Sequence, residues 1–296
     1  MRTAFIEQLI IEARENTQIF LLVGDLGFSV VEPFAREFPE RFINVGIAEQ
    51  NMTGIAAGLA MEGYKVFTYS IANFPTLRCM EQIRYDVCYH NLDVTVVAVG
   101  AGYAYASLGP SHHATEDIGM LRTLPNLTIA SPGDPIEARK ITSILCRQKG
   151  PAYIRLGKAG EPNIHKDEPE INPASPVLVL DGKQTAVFST GSILKYALDE
   201  IELKQRGWAL FSFPFIKPLK AESLLPLFLR FEKIICLEEH QLSAGFGSCI
   251  LELANDLVQE GRLPNFPNIQ RVGIKDEFIS MAGSQEYIRS LAGLLI

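Results

Sequence analysis

The sequence has few of the features that mark secreted, zinc-binding or membrane-spanning proteins. Its 296 residues include only five cysteines, an odd number with no C-x-x-C pair. Scattered thiols are typical of a reducing compartment rather than of a disulfide framework or a zinc site. No apolar run reaches the roughly 18 residues of a membrane span, and the N-terminus carries an early acid, Glu7, and no long apolar stretch. We therefore expect a cytoplasmic protein without a signal peptide or a membrane partner.

Positive charge is also in short supply. Lys and Arg number 27 against 34 Asp and Glu, which gives a net charge of −7. This balance argues against nucleic-acid and anionic-membrane partners, although a phosphorylated substrate needs only a local cationic site. Apolar residues make up 47% of the chain, and its length suggests two domains with sizeable cores.

Short apolar runs alternate with amphipathic segments, which predicts alternating strands and helices. In residues 1–160 the predicted strands are 18–23, 41–45, 65–69, 94–99, 127–130 and 152–156, and the helix after the third strand is predicted over 75–90. The polar, proline-rich segment 161–182 is predicted to be a linker, and the alternation resumes over 183–296. The pattern predicts the α/β class, with two doubly wound, mainly parallel-sheet domains.

Ligands bind such sheets beyond the carboxyl ends of the strands. Asp25, Glu49, residues 69–74 and the loop 100–113 all follow predicted strands, so we expect them to gather along one edge. Glu49 opens a helix of small apolar residues, where its carboxylate would be poorly solvated and could share a proton with a bound base. The alternative is that Glu49 only interacts with the positive end of its helix, which is worth about 0.3–1 kcal/mol.

Six segments together carry a family resemblance. They are G-I-A-E-Q-N-M (46–52), G-D-L (24–26), S-I-A-N-F (70–74), G-P-S-H-H (109–113), F-I-K-P-L (215–219) and L-E-E-H (237–240). The first resembles the glutamate motif of thiamine diphosphate enzymes of the transketolase type, and the others resemble further segments of that family. In order and spacing, the chain is similar to the pyrimidine-binding domain (1–160) and the C-terminal domain (183–296) of split transketolases.

The resemblance implies cofactor roles for five residues. Glu49 would hydrogen-bond N1′ of the aminopyrimidine of thiamine diphosphate, favouring the imino tautomer that takes the proton from the thiazolium C2. Phe74 would stack on the aminopyrimidine, and Ile71 stands where many relatives carry another aromatic residue. Asp25, with Leu26, would orient the cofactor. Taken without the resemblance, Phe74 is equally typical of core packing and Asp25 of a turn.

The resemblance also implies substrate roles. His112 would reach substrate oxygens or transfer a proton, with His113 beside it. Lys158 matches an arginine that binds the substrate phosphate, and Arg2 and Arg155 are further candidates. Histidines bonded to backbone at a helix start, and ordinary surface charge for the three cations, are the alternatives. Adjacent histidines on a helix diverge by about 100°, so no metal site is expected here.

Two departures from the family pattern concern the substrate. The acid that usually precedes the Gly-Pro of this loop is replaced by Leu108, and a histidine usual after the fourth strand is replaced by Gly100. The donor is therefore expected to differ from a standard ketose phosphate, with residues 103–105 lining an altered pocket.

The chain contains no G-D-G motif, on which the family holds Mg²⁺ and the diphosphate. We therefore expect a second, N-terminal polypeptide to bind diphosphate and Mg²⁺, with an α₂β₂ assembly. The leading hypothesis is transfer of a two-carbon ketol unit between sugars or sugar phosphates. The alternatives are the β subunit of a 2-oxo acid dehydrogenase E1 and a non-catalytic regulatory subunit.

Overall fold

Twelve strands form two open sheets in the computed structural model, which describes residues 1–296. The strands are β1 (Ile19–Val23), β2 (Phe42–Asn44), β3 (Lys65–Ile71), β4 (Val94–Val99), β5 (Thr128–Ala130), β6 (Ala152–Leu156), β7 (Val177–Leu180), β8 (Thr185–Ser189), β9 (Ala209–Ser212), β10 (Phe215–Lys217), β11 (Lys233–Gln241) and β12 (Ile269–Ile274). The first sheet has the order β10-β5-β6-β4-β3-β1-β2, and the second has the order β12-β11-β8-β9-β7. Only β10 with β5 and β7 with β9 are antiparallel. The predicted fold class is confirmed.

Nine α-helices cover the sheets. They are α1 (Arg2–Glu15), α2 (Glu32–Glu37), α3 (Glu49–Met61), α4 (Asp117–Leu121), α5 (Pro135–Arg147), α6 (Leu194–Leu203), α7 (Ala221–Arg230), α8 (Phe246–Gln259) and α9 (Gln285–Leu291). Successive side chains of a strand point to opposite faces. On β1, Leu21 belongs to the core that includes α1, α2 and α5, whereas Leu22 belongs to the core under α3. Both faces of the first sheet are therefore covered, as a doubly wound sheet requires. No helix combines the length and the apolar character needed to cross a membrane.

The segment after β3 departs from the predicted helix over 75–90. It runs in turns as far as Cys79, and a π-helix then spans Gln82–Tyr89. The Thr76 hydroxyl donates to the carbonyl of Ala72, and the Cys79 thiol donates to the carbonyl of Phe74. Such local side-chain bonds compete with helix formation. The turns leave Phe74 half-buried at the edge of the sheet.

Two short strands cross the boundaries predicted between the first domain, the linker and the second domain. β7 lies within the predicted linker and forms an edge of the second sheet, and β10 comes from the second half but pairs with β5 of the first sheet. The linker is also held to α5, where Asp134 accepts from the backbone N–H groups of Ile164 and His165. The division into 1–160, 161–182 and 183–296 stays a prediction.

Candidate functional site

Glu49 begins α3 at the carboxyl edge of the first sheet. Small residues of α3, Ala56 and Ala57, are buried in the core against the sheet, so the helix lies close to the strands and carries its first turn over their ends. Glu49 is only 2% exposed. Its Oε2 accepts from Nη1 of Arg78 at 3.1 Å, and its Oε1 accepts a long hydrogen bond from Ser70 Oγ at 3.4 Å. The carboxylate is thus buried with one charged side-chain partner.

The turn after β1 adjoins this carboxylate. A Cβ atom at Gly24 would lie 3.6 Å from Oε1 of Glu49. The next residue, Asp25, has a positive φ of 54°, a region that Asp tolerates better than most residues. Asn44, at the end of β2, accepts from the backbone N–H of Asp25 and donates to its Oδ1 at 3.0 Å. The exposed Asp25 carboxylate is therefore held in place, and Leu26 packs against the core below.

Phe74 and His112 face each other across the same edge. Their ring centroids are 5.7 Å apart in an edge-on arrangement, and the Arg78 guanidinium lies 5.0 Å from the Phe74 centroid. The Asn73 amide donates to the carbonyl of Ser111 at 3.0 Å and ties this segment to the loop that carries His112. Ile71, at the end of β3, is half-buried. A chain of contacts thus runs from Glu49 through Arg78 and Phe74 to His112.

His113 lies apart from this group. Its ring packs edge-on against Tyr103 with the centroids 4.9 Å apart, and burial lowers its pKa. Its Nε2 has no hydrogen-bond partner. It lines a cavity of about 270 Å³ together with Asn73 and Glu277, and neither His112 nor Phe74 contributes to that lining.

The three candidate cations have different environments. Arg2 begins α1 and lies beside Tyr105, where burial raises the pKa of the tyrosine hydroxyl and the positive charge of Arg2 opposes the rise. The N-terminal amine of Met1 donates to the carbonyl of Lys158 at 3.2 Å, which places Lys158 next to the start of α1. Arg2 and Lys158 therefore lie close together in space.

Arg155 does not belong to this surface, and its proposed phosphate role is not supported. Its side chain is only 2% exposed. Nε donates to Asp117 at 2.7 Å, and Nη2 donates to the carbonyls of Ala114 and Glu239. Burial alone would raise the pKa of Asp117, but the Arg155 guanidinium, together with His240 and the Tyr153 hydroxyl, outweighs it and holds that pKa below its usual value. Arg155 links β6 to β11 across the two halves of the chain and leaves little of its guanidinium for a substrate.

The two departures from the family pattern have physical counterparts. Gly100 has φ of 97°, and a Cβ atom there would overlap the ring of Tyr105. The Tyr105 ring thus fills the space that a side chain at position 100 would need. Leu108 is 56% exposed, at the surface of the same loop.

Two residues of the site were missed from the sequence, Arg78 and Asn44, and Ser70 was expected there only as part of residues 69–74. Arg78 lies 29 residues from Glu49 along the chain. The only sequence signal for Arg78 was a positive charge four residues after Phe74. Because this position fell within the helix predicted over 75–90, nothing distinguished Arg78 from an ordinary surface charge. No group of three or more His, Cys, Asp or Glu side chains is arranged to hold a metal ion.

Comparison with known proteins places these features in a family context. The family model described as "Transketolase, pyrimidine binding domain" matches residues 1–160. One subunit of the apulose-4-phosphate transketolase of Actinobacillus succinogenes is 32% identical over 293 residues, which cover 98% of this chain and 92% of that protein. A putative transketolase C-terminal section of Methanocaldococcus jannaschii is 31% identical, over 98% and 90% of the two chains. A solved structure described as a split gene transketolase, inactive beta4 tetramer, superposes with a TM-score of 0.85 at 32% identity, and covers 99% of this chain and 93% of that one.

Proposed function

This chain belongs to the transketolase family, and from that premise we propose that it is one subunit of a two-subunit enzyme that transfers a two-carbon ketol unit between sugar phosphates. The resemblance drawn from the sequence is thus confirmed at the level of the family. The observation that carries the proposal is a buried glutamate, Glu49, that opens α3 at the carboxyl edge of the sheet and is linked through Arg78 to the ring of Phe74.

Enzymes of this family depend on thiamine diphosphate, and the site fits the aminopyrimidine of that cofactor. Glu49 offers a buried carboxylate whose only charged side-chain partner, Arg78, is itself 50% exposed. Phe74 offers a half-buried aromatic face next to the Arg78 guanidinium. When bound, the cofactor supplies a carbon nucleophile and an electron sink.

The residues of this chain then have separate roles. Glu49 would hold a proton at the ring nitrogen N1′, and burial strengthens that hydrogen bond because water is excluded. Ser70 fixes the orientation of the carboxylate through its bond to Oε1. Phe74 would pack on the ring face, and Ile71 would close the pocket less tightly than an aromatic residue. Asp25, with Leu26, would orient the cofactor from the neighbouring turn.

We propose that a partner polypeptide holds the diphosphate and Mg²⁺. Two of the relatives are described as single subunits of an apulose-4-phosphate transketolase, and this chain covers 92% and 90% of their lengths. Both descriptions imply that the enzyme has another subunit. An α₂β₂ heterotetramer, with the cofactor between unlike chains, is the assembly that we propose.

The substrate would enter beside the Gly100–His113 loop. His112, which contacts Phe74, would reach the oxygens of the reacting substrate. Arg2 and Lys158 would bind a phosphate further out, with Lys158 acting as a point charge rather than a bidentate fork. His113 would reach substrate only from its own cavity. Tyr105 above Gly100, and the exposed Leu108, would favour a donor with fewer hydroxyl groups to recognise.

The test is to co-express this chain with an N-terminal, diphosphate-binding subunit encoded beside it and to purify the complex. Ketol transfer from a ketose phosphate is then assayed with and without thiamine diphosphate and Mg²⁺. We expect transfer only when both chains and both additions are present. Decarboxylation of a 2-oxo acid instead would favour the E1 alternative, and unaltered kinetics of a partner active by itself would favour a regulatory role. Tight binding of the cofactor by this chain alone would contradict the division of the site between two polypeptides.

A further inference from the structure

The guanidinium of Arg78 contacts two groups at once. It donates to Oε2 of Glu49 at 3.1 Å, and its central carbon lies 5.0 Å from the centroid of the Phe74 ring. No other hydrogen bond holds its side chain, whereas Arg155 makes three hydrogen bonds from a fully buried position. The planar guanidinium of Arg78 therefore bridges the Glu49 carboxylate and the Phe74 ring.

These are the two groups that the proposed function assigns to the aminopyrimidine. A flat, nitrogen-rich ring would donate to or share a proton with Glu49 and pack on the face of Phe74. A guanidinium is also flat and presents N–H donors in a plane. We propose that Arg78 occupies the aminopyrimidine position in the free chain and must swing out before the cofactor can bind.

The surroundings of Arg78 allow this movement. Its side chain is 50% exposed, so the guanidinium can exchange its protein contacts for water. Its backbone is held independently, because the Gln50 amide on α3 donates to the carbonyl of Arg78 at 3.0 Å. The side chain can therefore rotate away while the turn that carries Phe74 keeps its position.

The arrangement has a function in the free chain. Burying a carboxylate without a partner is costly, and Arg78 supplies a positive charge until the cofactor arrives. Cofactor binding then competes with the internal ion pair. The apparent affinity falls by the fraction of molecules in which the site is open. Because the pair is half exposed, its contribution is modest and the expected effect is about tenfold.

The experiment uses the complex with the partner polypeptide and measures thiamine diphosphate binding, in the presence of Mg²⁺, by isothermal titration calorimetry and stopped-flow spectroscopy. In the Arg78→Met variant we expect about tenfold tighter and faster binding than in the wild type. Arg78→Lys, which keeps a charge but loses the planar fork, is expected to fall between them. Arg84→Met is the matched control, because Arg84 is an exposed arginine that pairs only with Glu81.

The inference rests on the proposed function, and the outcomes separate the two. If neither the wild type nor Arg78→Met binds thiamine diphosphate, the proposed function is wrong and the inference falls with it. If the wild type binds and Arg78→Met binds equally or more weakly, only the inference is wrong, and Arg78 instead assists the bound cofactor or does nothing to it.

A second measurement uses the full chain without its partner. Binding of the free aminopyrimidine alcohol, 4-amino-5-hydroxymethyl-2-methylpyrimidine, is followed by ligand-detected NMR. We expect Arg78→Met to bind this probe about tenfold more tightly than the wild type, and Arg78→Met/Glu49→Gln to lose that gain. An equal signal from the wild type and Arg78→Met, or a gain that survives Glu49→Gln, would overturn the inference.

Discussion

Glu49 and Glu239 are equally buried, each 2% exposed, but their surroundings are very different. Glu239, on β11, accepts from the backbone N–H of Tyr103, the amide of Gln285 and the guanidinium of Arg289. Glu49 has one half-exposed arginine and one long bond from a serine. The Glu239 carboxylate has its hydrogen-bonding capacity filled within the protein, whereas the Glu49 carboxylate retains capacity for a ligand. Two equally buried carboxylates can therefore differ in hydrogen-bond saturation, and the less saturated one, Glu49, is the one for which we propose a ligand.

The arginines repeat the contrast. Arg155 is enclosed between the two halves of the chain, and Arg78 lies at the open edge of the sheet. Removing a residue from the enclosed region should therefore affect mainly stability, and removing one from the open edge should affect mainly binding and catalysis. Each of the following changes tests one side of this comparison.

The largest expected effect is that of Glu49→Gln on turnover. Glutamine keeps the shape of the side chain but cannot hold the proton, so we expect turnover of the assembled enzyme to fall by about 10²–10⁴-fold. The free energy of unfolding should change by less than about 1 kcal/mol, since the lost ion pair is half exposed. Glu239→Gln is the control, and we expect it to lower stability by about 2 kcal/mol through the bonds to Arg289. Near-normal turnover in Glu49→Gln would contradict the expectation that residues of the open edge act mainly in binding and catalysis.

The next largest expected effect is that of Arg155→Met on the free energy of unfolding. Arg155→Met leaves Asp117 as a buried carboxylate without its cation, and we expect a loss of about 3–5 kcal/mol in the free energy of unfolding, measured with urea. Arg78→Met also leaves a buried carboxylate, Glu49, without its cation, but water can reach the place of the half-exposed guanidinium, so we expect a smaller loss of about 1–2 kcal/mol. The double variant Asp117→Asn/Arg155→Met should recover part of the loss, because a neutral amide is less costly to bury. Equal losses from Arg155→Met and Arg78→Met would contradict the distinction.

The loop between the two regions gives a smaller effect. Gly100→Ala introduces strain at a φ of 97° and overlaps the Tyr105 ring, so we expect a loss of about 2–3 kcal/mol. Gly63→Ala is the matched control, because its φ is also positive, at 93°, but a Cβ atom there meets nothing within 4 Å. Its loss should be about 1 kcal/mol. If both variants lose the same stability, the Tyr105 ring does not restrict position 100.

The smallest expected effect concerns a third buried carboxylate, Glu137, whose partner titrates. Nε2 of His165 lies 2.8 Å from Oε1 of Glu137. Burial lowers the pKa of His165, but the bond and the charge of Glu137 outweigh it, so the net pKa is raised above 6.5. The stabilisation is then fully present below pH 6.5 and is lost as the pH rises through the raised value. As the pH rises through this value, we expect the Tm of the wild type to fall by a few degrees more than the Tm of His165→Gln. Parallel pH profiles would show that the pair does not hold the linker.

Much of the first sheet could be predicted because its strands are short, continuous apolar runs. The two antiparallel strands could not, since β7 is apolar but partly exposed and lies within the predicted linker, and β10 has only three residues. The helix predicted over 75–90 was wrong at its start, because local bonds from Thr76 and Cys79 compete with the helix.

The site was partly accessible to the same reasoning. That strand ends meet at one edge follows from topology alone, and the structure links Glu49 there, through Arg78, to Phe74 and His112. Arg155 was proposed for its charge, and the continuous apolar pattern around it in β6, buried at every position, was the signal of its enclosure. The Glu49–Arg78 pair links residues far apart in sequence, and no local pattern encodes it.

The strand β10 has a further consequence for how such a polypeptide can be divided between genes. A polypeptide that ended at residue 160 would keep every helix and strand that surrounds Glu49, but β5 would lose its antiparallel neighbour and become a bare margin of the sheet. Unpaired margins of this kind recruit other chains and cause self-association. Gene fission at that point would therefore expose β5 to pairing with other chains, an edge that the intact chain covers with its own β10.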